Sequence, residues 1–181
     1  PYYITTPLIL RLLPCREVFE TLLLTVQREV ADRITAAPGR KAYGSLTLHC
    51  GYWATVEPVL AIPRTAFYPT PEVDSMLVRF DLLDAPRVSV ARPSQLFGVI
   101  RAAFVQRRKT LRNALRQAGW PSKAVDAALD ACSIGGMRRG ETLSLEEFAR
   151  LSEALPGIPR ADRDRDSDRE SREPRAKSRE R

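Results

Sequence analysis

The chain has 181 residues, of which 29 are Lys or Arg and 22 are Asp or Glu, giving a formal net charge of +7, and 44% are apolar. That apolar share can build the core of one ordinary domain or two small ones, while Cys15, Cys50 and Cys132 stand too far apart for a CxxC zinc pair or a disulfide framework. No apolar run reaches the ~18 residues of a membrane span, so the expectation is a soluble protein of a reducing cytoplasm, with no metal and no membrane, whose charge favours nucleic acid over a membrane surface.

The chain opens on Pro1-Tyr2-Tyr3-Ile4-Thr5-Thr6-Pro7, with no initiator Met and no signal-peptide pattern ahead of it, which reads as truncation and not as processing. Residues 19–26 are a short apolar run suited to a buried strand. The stretch 27–36 then carries Val30 and Ile34 at helical spacing and stops before Pro38-Gly39. The segment 43–53 fits neither period cleanly. Residues 56–62 and 73–80 read as strands, separated by the proline-punctuated loop 63–71. After Ala85-Pro86 only helices are expected: 94–106, about 110–117, 122–132 and 144–155. The first shows Leu96, Val99, Ile100, Ala103 and Phe104 on one face. The last opens with Ser144 and Glu147 in a capping box. From Gly157 onward the sequence loses its aromatic and β-branched residues, and 160–181 hold nine Lys and Arg against seven Asp and Glu, too little apolar surface to offset chain entropy, so a disordered tail is expected.

Three segments carry candidate chemistry. Pro1-Tyr2-Tyr3 places an aromatic beside a proline. Phe67-Tyr68-Pro69-x-Pro71-x-Val73-Asp74-Ser75 is a loop stiffened by prolines that would display an aromatic at the mouth of a sheet. Phe104-Val-Gln106-Arg107-Arg108-Lys109-Thr110-Leu111-Arg112-Asn113 joins a cationic block to an amphipathic helix. If the helix runs through, Arg101, Arg108, Arg112 and Arg116 fall within an arc of ~80°, a stripe able to follow phosphates; a solvated face is the plain alternative. His49, the one histidine, reads as a packed or surface residue, and Glu29, Asp32 and Asp74 read as structural polar groups.

In this order and at these separations, the segments resemble the small-subunit ribosomal RNA adenine dimethyltransferases over residues 1–155. Pro1 to Pro7 is similar to the end of the family's N-L-P-Y-x-I-[ST]-[ST]-P catalytic loop, Gln27-Arg28-Glu29-Val30 to its Q-[KR]-E-V segment, and Tyr43-Gly44-Ser45-Leu46 to its Y-G-x-[LI] turn. Phe67 to Ser75 is similar to F-x-P-x-P-x-V-D-S, and Phe104 to Leu115 to F-x-x-R-R-K-T-[LI]-R-N-x-L. Met137-Arg138-Arg139 through Phe148 resembles the R-x-E-x-[LI]-S-x-x-x-[FY] close. The Arg107-Arg108-Lys109-Thr110 block is the specific one.

The resemblance implies an α/β fold: the later strands of a Rossmann-like class I methyltransferase sheet (1–88), a small all-helical RNA-recognition subdomain (89–157) and a disordered tail (158–181). It implies S-adenosylmethionine-dependent N6,N6-dimethylation of two adjacent adenosines near the 3′ end of 16S-type rRNA in ribosome biogenesis. Pro1, Tyr2 and Phe67 would be the catalytic residues, the Pro1 carbonyl accepting from N6 while Tyr2 and Phe67 close on the base. Arg101, Arg107, Arg108, Lys109, Arg112, Arg116, Arg138 and Arg139 would bind RNA. The cofactor, S-adenosyl-L-methionine, would be bound by a half-domain expected upstream of Pro1. The implied partner is small-subunit rRNA or the pre-30S particle, met by a monomer. Two alternatives stay open: the large-subunit adenine methyltransferases of macrolide resistance, disfavoured by the Arg-Arg-Lys-Thr block, and a non-catalytic RNA- or ribosome-binding factor on the same fold.

Overall fold

The structure is a computed structural model and describes residues 2–159. Pro1 and residues 160–181 of the tail expected over 158–181 lie outside the described residues, while Ile158, the first residue of that expected tail, packs against the helical core. After a 3-10 turn at Tyr2–Ile4 the chain forms α1 (Thr5–Leu12), β1 (Thr21–Gln27), α2 (Arg28–Ile34), α3 (Ser45–Trp53), β2 (Ala54–Ile62) and β3 (Ser75–Leu82). It then forms α4 (Pro93–Val105), α5 (Leu111–Gln117), α6 (Ser122–Ala131) and α7 (Leu145–Ala154).

The three strands make one antiparallel sheet in the order β1-β3-β2. Pro58 falls on β2, at the sheet's edge, where its missing N–H breaks no central ladder, and the register shifts between Pro58 and Leu60. Alternation sets the two faces. Leu22, Val26, Val78, Phe80 and Ala54 pack with Ile9, Leu13, Ala31, Ile34, Leu46 and Cys50 into a first core under α1, α2 and α3. On the other face Arg79 reaches Glu57 at 3.0 Å and Asp81 at 2.9 Å in open solvent.

The second core is helical. Leu96, Val99, Ile100, Leu111, Leu115, Val125, Leu129, Phe148 and Leu151 bring α4 to α7 together, joined by Tyr43, Leu48 and Tyr52. Helix α3 therefore serves both cores, and this explains why its sequence has no clean period. Leu46 and Cys50, one turn apart, face the sheet, while Leu48 and Tyr52, also one turn apart, face the helices. Two opposite buried stripes on a helix superpose into an alternation that mimics a strand.

One further difference from the sequence expectation has a local cause, and so does the outcome of the conditional cationic stripe. Helix α1 is unexpected from its Thr-Thr-Pro opening, yet Pro7 falls in the first turn, where its missing N–H is tolerated, and Ile9 and Leu13 sit four apart on the buried side. The cationic helix does not run through. Gln106 adopts φ −129°, ψ 78°, and Thr110 starts α5 afresh, its side chain accepting from Asn113 N at 3.4 Å. Carbonyls of the loop before α7 feed the new helix start: Leu111 N donates to Arg138 O at 2.7 Å and Arg112 N to Gly136 O at 3.2 Å. The single arc of Arg101, Arg108, Arg112 and Arg116 is thus cut in two.

The helical core is closed at its base by residues just past α7. Gln95, 3% exposed, donates to Ser152 O and Leu155 O, and Trp120 Nε1 donates to Pro156 O at 3.0 Å. Gly119 has φ +100°, a conformation that favours glycine, and Pro159 Cβ lies 3.0 Å from where a Cβ would stand, a close approach.

Candidate active site and nucleic-acid face

The end of the sheet where β1 stops and β3 starts gathers the expected aromatic segments. Ser75, the first residue of the central strand, is 1% exposed and lies opposite Gln27 on one side and Ile62 on the other. The hydroxyls of Tyr2 and Ser75 are 2.6 Å apart, a bond between residues 73 positions apart. Tyr2 is half-buried, whereas Tyr3 beside it is 85% exposed.

Phe67 lies in the loop between β2 and β3, which leads into Ser75. It follows a 3-10 turn, Arg64–Ala66, with its N–H bonded to Arg64 O at 3.3 Å. Its carbonyl accepts from Thr70 Oγ1 at 3.4 Å. Phe67 is half-buried and its neighbour Tyr68 fully exposed. Asp74 braces this loop, Oδ1 accepting from Arg64 N at 2.9 Å, while its carbonyl accepts from Arg28 N at 3.0 Å at the start of α2. Between α2 and the loop lies a cavity of about 530 Å³ lined by Gln27, Arg28, Glu29, Asp32, Arg64, Glu72, Val73 and Asp74. Asp74 is therefore a structural acceptor, as its sequence context suggested; Glu29 is in an exposed i,i+4 pair with Arg33 at 2.6 Å.

Tyr2 and Phe67 thus come to one end of the sheet. Pro1, the third expected catalytic residue, lies outside the described residues. No strand among the described residues is followed by a glycine-rich turn: β1 passes straight into α2 through Gln27-Arg28, and β2 into Pro63. The residues present do not fit an adenosyl-binding turn, and none of them is assigned to the cofactor.

The expected RNA-binding cations divide sharply. Arg107 donates to Lys41 O at 2.6 Å and Tyr43 O at 3.1 Å and lies 3.7 Å from Glu141, clamping the turn before α3 to the helical part. Tyr43 completes that clamp, its buried hydroxyl donating to Leu143 O at 2.8 Å; burial, the main cause, raises its pKa well above the usual tyrosine range. Arg138 grips both Glu147 carboxylate oxygens and donates to Thr142 O at 2.6 Å. That hydrogen bonding holds the Glu147 carboxyl below the usual range. Arg116 Nη2 bonds Asp126 Oδ2 at 2.6 Å, and Arg112 Nε lies 3.0 Å from Asp126 Oδ1 without hydrogen-bond alignment. The Arg112 guanidinium also presses on Gly136, where a Cβ would stand 2.9 Å from Nε. Arg101, in α4, is half-buried. Arg108, Lys109 and Arg139 are exposed and make no side-chain bond among the described residues. A cavity of about 350 Å³ is lined by Val105, Gln106, Arg107, Arg108 and Lys109.

Asp126 is the polar residue that sequence reasoning missed here. It sits on α6, ten residues beyond Arg116, and no local pattern announces a contact made across two helices. His49 packs as expected: its ring stacks on Phe97 at 4.0 Å and Nδ1 lies 3.0 Å from Ser45 O. Among the described residues no helix is long and apolar enough to cross a membrane, and no group of three metal-ligating side chains is present. Cys50 is fully buried, which pushes its thiol up to about 12.

A family model described as "Ribosomal RNA adenine dimethylase" matches residues 1–156. The protein called ribosomal RNA small subunit methyltransferase A in Clostridium acetobutylicum is 45% identical over 155 residues, covering 86% of this chain and 56% of that protein. The one in Moorella thermoacetica is 46% identical over 155 residues, covering 86% and 54%. The chain spans about half the length of these curated relatives. Among solved structures, a dimethyladenosine transferase from Plasmodium falciparum matches with TM-score 0.73 at 25% identity, over 83% of this chain and 62% of that one. The 23S rRNA methyltransferase ErmE matches with TM-score 0.61 at 27% identity, over 86% and 62%. These likenesses bear out the expected α/β, Rossmann-like methyltransferase fold.

Proposed function

Because the chain belongs to the ribosomal RNA adenine dimethylase family, we propose that the protein transfers methyl groups from S-adenosylmethionine to N6 of two adjacent adenosines near the 3′ end of small-subunit rRNA. The observation that carries this reading is the 2.6 Å bond between Tyr2 and Ser75. It ties the opening segment to the first residue of the strand into which the Phe67 loop runs, which supports reading two aromatics 65 positions apart as parts of one site.

Adenine N6 is a weak nucleophile because its lone pair is delocalised into the ring. What the site must do is orient that nitrogen and accept its hydrogens, and carbonyl acceptors suffice. When bound, S-adenosylmethionine supplies an electrophilic methyl group; we assign its binding to the part of the relatives that this chain does not span. Tyr2 and Phe67 hold the extruded base between them, a mode in which stacking contributes ~1–3 kcal/mol per base. Pro1 takes the acceptor role that the family resemblance gives it.

Residues 89–157 form the RNA-recognition part in this reading, with Arg108, Lys109 and Arg139 contacting phosphate directly. Arg107, Arg112, Arg116 and Arg138 shape the surface on which the free cations sit, and Arg101 flanks it. The partner is small-subunit rRNA within a pre-30S particle, met by a monomer in the cytoplasm. The names of the 45–46% identical relatives support the small subunit over the large. The test is methyl transfer by the full-length protein to small-subunit particles that lack this modification, against large-subunit RNA in parallel. N6,N6-dimethyladenosine at two neighbouring small-subunit positions is the expected product. Methylation of the large subunit alone would favour the macrolide-resistance type, and tight particle binding without methyl transfer a non-catalytic factor.

A further inference from the structure

We propose that Asp74 and Ser75 are the positioning residues of this site, Ser75 holding Tyr2 and Asp74 holding the Phe67 loop, so that one dipeptide fixes the gap between the two aromatic walls. The inference rests on the function proposed above and deepens it. Both residues stand where the central strand begins, and Ser75 is locked from both sides by its partners Gln27 and Ile62. Its hydroxyl is within a residue only 1% exposed, so the Tyr2 hydroxyl is a partner that it cannot lose to water. Tyr2 cannot swing about its side-chain torsions without orphaning that group.

Asp74 reaches in the other direction. Its carboxylate caps the backbone N–H of Arg64 at 2.9 Å, the first residue of the turn that delivers Phe67, and its carbonyl receives Arg28 N at 3.0 Å. The contrast with the neighbours is informative. Each wall comes from a pair of adjacent aromatics, Tyr2-Tyr3 and Phe67-Tyr68, and in each pair the dipeptide restrains the half-buried member while the other is 85% or fully exposed. The role asked of Asp74 is that of an acceptor and not of a base, and an amide oxygen would serve equally.

The test measures kcat and KM of the full-length protein on small-subunit particles. Ser75→Ala and Tyr2→Phe should each lower kcat about tenfold with KM for RNA within about twofold, and the double variant should be no worse than either, because both delete the same bond. Asp74→Ala should lose about tenfold in kcat, while Asp74→Asn, which keeps the acceptor, should stay within about threefold of the parent. The proposal is overturned by unchanged kcat in Ser75→Ala, by independent losses that multiply to about a hundredfold in the double variant, or by Asp74→Asn as damaged as Asp74→Ala. Should Ser75→Ala fail to fold, Tyr2→Phe removes the same bond, and unchanged kcat in that variant overturns the proposal equally. A parent protein that transfers no methyl group sinks the function and this inference together; an active parent with indifferent variants sinks this inference alone.

Discussion

Around Tyr2 and Phe67 the polar contacts that matter are made by two adjacent residues, Ser75 bonding Tyr2 across 73 positions and Asp74 bonding Arg64 across ten. On the helical side the cations are many, yet Arg107, Arg112, Arg116 and Arg138 are bonded to the protein itself, leaving Arg108, Lys109 and Arg139 exposed. A run of arginines in a sequence is therefore no measure of the charge available to a partner. Guanidinium groups make multiple directed bonds and serve as frame as readily as they serve as bait. A lone tyrosine with one buried hydroxyl partner can be the more informative feature.

The heaviest losses are expected on the sheet side. Tyr2→Ala and Phe67→Ala each remove ~1–3 kcal/mol of stacking from one base, so methyl transfer should fall by roughly 5- to 150-fold. Affinity for small-subunit particles should stay nearly unchanged, since one base is a small part of an RNA interface. Single-turnover rates and equilibrium binding on the same variants check this, and equal losses in both would point to a folding defect.

Next comes the split among the cations themselves. Arg138→Ala leaves Glu147 without its two-pronged partner and frees Thr142 O, so it should lower stability by about 1–2 kcal/mol, allowing for partial exposure of the pair. Because the Glu147 carboxyl is held below its ordinary value, the stability it contributes is present above the unfolded pKa near 4.5 and is lost as pH falls through the lower folded value. Arg138→Ala should therefore also flatten the acid limb. Arg139→Ala, one residue on and exposed, should leave the denaturant midpoint where it was. Chemical denaturation at neutral and acid pH separates the two.

How much of this was legible differs between the two regions for a physical reason. The strands, α2 and the four C-terminal helices follow from periods of 2 and 3.6, from Pro38-Gly39 as a stop and from the Ser144/Glu147 box, which the structure contains with both reciprocal bonds. Helix α3 was illegible because it is buried on two sides, and α1 because its threonines and proline disguise an Ile9/Leu13 stripe. At the candidate site, the aromatics announced themselves as motifs. Ser75 stood in a motif without declaring its partner, since a hydroxyl's bond to a residue 73 positions away leaves no trace in spacing. The break between α4 and α5 was legible as the gap between two expected helices, whereas the carbonyls of Gly136 and Arg138 that complete the new helix start lie too far along the chain to be foreseen.

Salt separates the exposed cations from the bonded ones. Removing a side chain that pairs with one phosphate should reduce the slope of log affinity against log salt by about one. Arg108→Ala, Lys109→Ala and Arg139→Ala should each do so without loss of stability, and with little change in methyl transfer at saturating particle concentration. Arg112→Ala should behave differently, lowering stability modestly by leaving Asp126 with Arg116 alone. Binding titrations at several salt concentrations, alongside melting curves, check the contrast. Unchanged slopes for all three exposed cations would move RNA docking to the Phe67 loop.

A slighter effect is expected of His49, which lies at the junction of α3 and α4 and belongs to neither region's chemistry. Its ring is stacked on Phe97 and its Nδ1 lies by the carbonyl of Ser45. Burial, the main cause, lowers its pKa; the Ser45 carbonyl opposes this and the nearby Arg101 charge adds to it. The folded protein thus prefers neutral imidazole, whereas the unfolded chain takes up a proton near pH 6.5. Stability from this residue is fully present above that value and is lost as pH falls from there towards the lower folded pKa, because the unfolded state then binds more protons. That window opens near pH 6.5, whereas the Glu147 window opens near 4.5, so the two onsets can be resolved. Denaturant midpoints measured from about pH 7.5 down to about pH 5.5 should decline in the parent chain and decline less in His49→Gln. Equal slopes in both would mean that protonated imidazole is accommodated at the α3/α4 junction, and the packing around Phe97 would then be looser than its 4.0 Å stack indicates.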